Sequence, residues 1–148
     1  MDQEADRQED SKAPRVKCLL DIDTVNYAIR GGYPLLDLRL AAAKSDTVSV
    51  SVITRAELLY GLERRGNPRA LARLVHAFLD RIATLPWDSA AADRYAKVAA
   101  QLENRGTPIG TADTMIAAHA LAVNAALVTN NTKHFERVKG LALENWVT

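Results

Sequence analysis

Short apolar runs alternate with segments of helical periodicity from residue 16 to the end of the chain, and that alternation leaves few architectures open. The runs fall at Val16 to Leu20, Val48 to Val52, around Thr84-Leu85-Pro86, at Ala126 to Val128 and near Leu141 to Trp146. Between them, helices are predicted over Thr24 to Arg30, Leu35 to Ala43, from Thr54 onward, and from Pro68 onward. The Pro68 segment carries Leu71, Leu74, Val75, Phe78 and Leu79 at three- and four-residue spacing. Further helices are expected over Ser89 to about Glu103 and from the Pro108-Ile109-Gly110-Thr111 entry to about Val123, with Gly31-Gly32 and Arg105-Gly106 as stops. Strands interleaved with helices imply an α/β fold whose central, mainly parallel sheet is flanked by helices.

The 148 residues suit one domain, expected over residues 15–148. Residues 1–14 carry five acids against two bases, a balance of −3, and almost no apolar side chain; they read as a disordered polar tail. With a net charge of +1 for the whole, the body carries +4, compatible with a polyanionic substrate without announcing one. No apolar run approaches a membrane span and the N-terminus is polar, so no membrane segment or signal peptide is expected. The single cysteine, Cys18, cannot pair within the chain and reads as a small buried hydrophobe. A cytoplasmic protein fits these features.

Four residues stand at the ends of those elements. Asp21 closes the first run, Glu57 lies just after the second, Asp113 is in the first turn of a helix, and Asn131 follows the run ending at Thr129. In an open α/β sheet the carboxyl ends of the strands share one edge, where ligands bind. Three carboxylates meeting there would repel by roughly 4 kcal/mol per pair at 4 Å and an effective dielectric near 20. Either their pKa values rise or a divalent cation holds them together, and the cation is the sharper reading. Each residue also has a local explanation. Asp21 could be a turn or cap residue, although Asp23, directly before Thr24, fits the cap better. Thr54-Arg55-Ala56-Glu57 has capping-box spacing. Asp113 suits a helix dipole behind a Thr111 cap, and Asn130-Asn131 is turn chemistry. Among the arginines, Arg55 beside Glu57 is the candidate for phosphate contact. His76 and His119 read as packed or half-exposed, whereas His134 could lie near the site.

The chain resembles the PIN-domain ribonucleases, specifically the VapC toxins of bacterial toxin–antitoxin systems. The resemblance spans about residues 16–147 and rests on LLDIDTVNYAIRG (19–31), SVSVITRAELLYGLE (49–63), RGTPIGTADTMIAAHALA (105–122), LVTNNTKHFERVKGL (127–141) and LENW (143–146), in order and at family spacing. It places the family's acids on Asp21, Glu57 and Asp113 and its fourth position, Asp or Asn, on Asn131. It implies Mg²⁺ or Mn²⁺ at those residues, cleavage of RNA phosphodiesters such as those of tRNA or rRNA, and arrest of translation. A cognate antitoxin that blocks the site and a homodimer are also implied. Asp21 and Asp113 are the first choice as direct ligands, with Glu57 and Asn131 acting directly or through water, because Mg²⁺ usually keeps several waters and takes one or two carboxylates. One departure stands out: Ile22 occupies a position where the family usually has Thr, and either it weakens the cluster or it points into the core.

Two other functions fit parts of the sequence. Asp21-Ile22-Asp23-Thr24-Val25 is similar to the nucleophile motif of haloacid-dehalogenase-type phosphatases, in which Asp21 would attack phosphate and Asp23 serve as acid/base. That reading leaves Glu57 without a role, and its later acidic motif should follow a strand. An RNA- or protein-binding module that has lost catalysis is the other, opposed by the retention of all three acids.

Overall fold

The computed structural model describes residues 16–44 and 46–148; the polar segment 1–14 lies outside them. Five strands form one parallel sheet: β1 (Cys18–Leu20), β2 (Val48–Ser51), β3 (Ala83–Leu85), β4 (Ala126–Val128) and β5 (Leu143–Glu144), in the order β3-β2-β1-β4-β5. The helices between them are α1 (Ile22–Arg30), α2 (Pro34–Ala42), α3 (Val52–Arg64), α4 (Arg69–Arg81), α5 (Ser89–Asn104), α6 (Thr111–Ala122) and the single turn α7 (Thr132–Phe135). The expected α/β class and parallel sheet are both found.

Alternation along the short strands sorts the core into two layers. Cys18 and Leu20 of β1 face one way with Val48 and Val50 of β2, against Val25, Leu36, Leu58, Leu62, Val75 and Leu79 from α1 to α4. Leu19 and Leu127 face the other way, onto Val98 and Leu102 of α5 and Ile116, Ala117 and Ala120 of α6. Cys18 is buried as expected, its thiol pushed up to about 11 first by burial and then by the Glu144 carboxylate. Gly31 and Gly32 break α1 from α2 with φ of 76° and 91°, a region open to glycine at little cost.

The chain leaves β1 toward β2 and β3 on one side, then returns through α5 and α6 to lay β4 on the other. The direction of winding therefore reverses between β1 and β4. That switch point is where open parallel sheets bind ligands, at the carboxyl ends of the strands. The backbone N–H of Asp21 donates to Val128 O at 3.1 Å across it.

Candidate active site

Asp21 sits directly at the switch point. Helix α1 begins at Ile22, two residues earlier than its sequence suggests, so Asp21 and not Asp23 is the N-cap. Its backbone is extended (φ −79°, ψ 172°), and its Oδ1 accepts the Thr24 N–H at 2.9 Å. The side chain is 5% exposed. Burial raises its pKa, opposed by hydrogen bonding from the Thr129 hydroxyl and from Thr24. Asp23 is exposed in the first helical turn, where the dipole favours a negative charge.

The capping-box explanation for Glu57 fails on register. Helix α3 starts at Val52, and its cap is Ser51, whose Oγ accepts the Ile53 N–H at 3.1 Å. Position N3 is therefore Thr54, and Glu57 lies a full turn further in, away from any orphan N–H of the helix start. Its carboxyl is half-buried, and its pKa is raised first by that burial, then by the charges of Asp113, Asp21 and Asp23. All four influences act in one direction. The charges that shift Glu57 are thus those of three other acids, with no cation among them.

Asp113 is the third residue of α6, behind Gly110 as the cap-position residue (φ 94°) in place of the expected Thr111. Its Oδ2 pairs with His134 Nε2 at 2.8 Å, and the same nitrogen lies 3.2 Å from Ile109 O. A carbonyl oxygen can only accept, so Nε2 carries a proton and donates. His134 thereby ties the Asp113 carboxylate to the loop that opens α6.

Asn131 occupies the cap position of α7 without a side-chain capping bond and is exposed, its amide uncommitted to the helix. Its backbone N–H donates to Thr129 Oγ1 at 3.0 Å. Thr129, fully buried, links the Asn131 turn to Asp21; Thr24, equally buried, donates its hydroxyl to Val128 O at 3.1 Å. Sequence reasoning passed over both threonines. Thr129 had a signal, since it follows β4 as Asp21 follows β1.

The remaining candidates separate. Arg55 is two residues from Glu57 and so points about 160° round the helix from it, half-buried and away from the acids. His119 is buried with Nδ1 2.7 Å from Ser51 Oγ, and burial lowers its pKa, which makes it a core histidine. His76 is exposed on α4. Ile22 is half-buried, packing against the α1–α4 core layer while also lining a cavity beside Glu57, and the hydroxyls beside Asp21 come from Thr24 and Thr129. A cavity of about 360 Å³ opens near Val48 and Ile82 at the amino ends of the strands, and none of Asp21, Glu57, Asp113 or Asn131 lines it.

A family model for the PIN domain matches residues 27–141. The chain belongs to the PIN domain family. It is 41% identical over 97 residues to a tRNA(fMet)-specific endonuclease VapC of Shigella flexneri, an alignment covering 66% of this chain and 74% of that protein. A protein of the same name from Salmonella typhimurium is 34% identical over 131 residues, covering 88% and 98%. In the crystal structure of DNA-bound VapBC from Salmonella typhimurium, a chain at 34% identity superposes with a TM-score of 0.83, over 88% of this chain and 98% of that one. The PIN domain assignment removes the phosphatase reading of Asp21 and Asp23. Among the described residues no helix is long and apolar enough to cross a membrane.

Proposed function

We propose that this PIN-domain chain is a VapC-type ribonuclease, the toxin of a toxin–antitoxin pair, which hydrolyses RNA phosphodiester bonds in the cytoplasm and so inhibits translation. The observation that carries the reading is that Asp113, Asp21 and Asp23 all bear on the half-buried Glu57, whose pKa is raised first by burial and then by those three charges. A fold that concentrates like charge in this way gives up stability, which makes sense when a cation or a charged partner occupies the place.

Among the described residues, no three His, Cys, Asp or Glu side chains form a group tight enough to hold a metal ion alone. Mg²⁺ usually takes one or two protein carboxylates and keeps several waters, so it requires no such group. The donors are all oxygens, which favours Mg²⁺ or Mn²⁺ over a metal that prefers nitrogen or sulfur. Asp21 and Asp113 would hold it directly, each with one oxygen already fixed, by Thr24 N–H and by His134. Glu57 and Asn131 would act directly or through water. When bound, such an ion supplies a water of lowered pKa and positive charge beside the phosphate. The protein's own part is to favour the ionised form of Asp21 through Thr129 and Thr24 against its burial, to fix Asp113 through His134, and to offer Glu57 as acceptor for a proton from the attacking water.

The partners follow from the same reading. A cognate antitoxin would cover the acids with a basic side chain, since bidentate Arg–carboxylate pairing is geometrically favoured; the Salmonella typhimurium chain that superposes on this one was solved as part of a VapBC structure. A homodimer is the proposed assembly. Transfer RNA is the first substrate to test, given the names of the Shigella and Salmonella relatives. Purified protein should cleave tRNA with Mg²⁺ and stop when EDTA is added, and Asp113→Asn should abolish cleavage without loss of fold. Equal rates for Asp113→Asn and the unsubstituted chain would overturn the assignment.

A further inference from the structure

A cavity of about 320 Å³ opens beside Glu57, between α1 on one side and α3 with α4 on the other. Its floor is apolar, but its charged lining is one carboxylate, Glu57, against three guanidinium groups, Arg30, Arg64 and Arg65. All three arginines are exposed, and among the described residues none has a carboxylate within 4.0 Å. Arg30 instead stacks over Tyr27 at 5.5 Å. Glu57, Gly61 and Arg64 fall at i, i+4 and i+7 of α3 and so share one face, and Arg65, the residue that caps its carboxyl end, lines the same cavity. The arginines begin about 10 Å along the helix from Glu57.

Gly61 is the second observation. It lies inside α3, where glycine weakens a helix relative to alanine. Its backbone is not in the left-handed region, and nothing lies within 4 Å of where a Cβ would stand. Neither conformation nor packing calls for glycine here. What its missing side chain does is keep the groove open between the acids and the arginines.

We propose that this groove holds the RNA strand flanking the cleaved bond, with Arg64, Arg65 and Arg30 on its phosphates and Gly61 as the gap that admits the backbone. The inference rests on the ribonuclease reading and extends it to the contacts that position substrate. Guanidinium forks match phosphate oxygens, the groove's lining is net positive, and it runs directly into Glu57. An acidic peptide is the other occupant such a rim could take, and the experiment separates the two.

The test measures tRNA binding to the Asp113→Asn chain, which keeps the RNA intact, across a range of salt concentrations. Each lost phosphate contact on a single strand lowers the slope of log K against log salt by about 0.7. Arg64→Ala/Arg65→Ala should therefore flatten it by about 1.4, with weaker binding to every RNA sequence tried. Arg69→Ala/Arg73→Ala removes the same charge from α4 outside the groove and should leave the slope nearly unchanged. Gly61→Leu should weaken binding while α3 remains folded. Equal slopes for the two arginine pairs, or undiminished binding by Gly61→Leu, would overturn the groove while leaving the ribonuclease reading intact. So would loss of antitoxin binding by Arg64→Ala/Arg65→Ala with RNA binding untouched. A chain that neither cleaves nor binds tRNA would remove both readings together.

Discussion

Asp21 and Glu57 reach the same edge of the sheet but are held in opposite ways. Asp21 is buried at the end of β1, with its carboxylate bound by the Thr24 N–H and favoured by the Thr129 hydroxyl. Glu57 stands a turn into α3, and after burial the charges that shift it are all carboxylates. One acid would be needed by the fold even if the chain did no chemistry; the other has no evident structural duty. A residue that lowers the stability of the protein around it and caps nothing points to function more directly than one that does both jobs.

Glu57→Gln tests the sharper half of that contrast and carries the largest expected effect. Cleavage should fall by roughly 10³-fold, about 4 kcal/mol of transition-state stabilisation. The unfolding temperature of the metal-free protein should rise at neutral pH. The sign follows from linkage. The folded-state pKa of Glu57 stands above its ordinary 4.5, so the folded state binds more protons than the unfolded chain between those two values. Stability is highest below that window, falls as pH rises through it, and bears the whole penalty above. Gln removes the penalty, so melting curves of the variant should lose this pH dependence. A variant that melts lower at neutral pH would show that Glu57 does structural work after all.

His134 comes next. Its Nε2–H joins Asp113 Oδ2 to Ile109 O, and partners of that kind are typically worth 10- to 100-fold in metal affinity or activity. His134→Ala should lose that much Mn²⁺ affinity by calorimetry, and His134→Gln, which keeps a donor, should recover part of it. Unchanged affinity in the alanine variant would mean that Asp113 is positioned by α6 alone.

Asp21 separates its two duties by paired substitution. Asn caps a helix as well as Asp does, whereas Ala loses the cap at about 1 kcal/mol. Asp21→Asn should keep its unfolding temperature yet cleave no RNA, and Asp21→Ala should lose both. If Asp21→Asn cleaved at the normal rate, its burial at the switch point would be structural only.

The contrast also explains what was legible in the sequence. The strand–helix alternation carries the fold, because period-2 and period-3.6 patterns are local, and the acids could be placed at one edge because parallel strands share direction. Helix starts were less legible. Ser51 and Asp21 cap helices whose first turns, Val52-Ile53-Thr54 and Ile22-Asp23-Thr24, include β-branched residues that look like continuing strand or loop. The resulting shift of two residues made Glu57 look like a capping-box partner and Asp23 look like a cap. Thr129 and the His134–Asp113 pair were hidden for another reason: Thr129 reaches Asp21 only after β4 is laid beside β1, and His134 meets Asp113 only where the helices on either side of β4 fold back together.

Ile22 marks the smallest expected effect and the last test of the contrast. Its side chain packs into the α1–α4 layer, whereas the hydroxyls beside Asp21 come from Thr24 and Thr129. Ile22→Thr places a hydroxyl where the core is apolar and removes packed carbon. The substitution should cost about 1 kcal/mol of stability and change the cleavage rate by less than about twofold. Chemical denaturation and tRNA cleavage measured on the same preparation would check both. A severalfold gain in rate would mean that the added hydroxyl reaches Asp21 or its bound ion. The existing threonines would then not complete that half of the site, and the Asp21 side would depend on its neighbours for chemistry as much as the Glu57 side does.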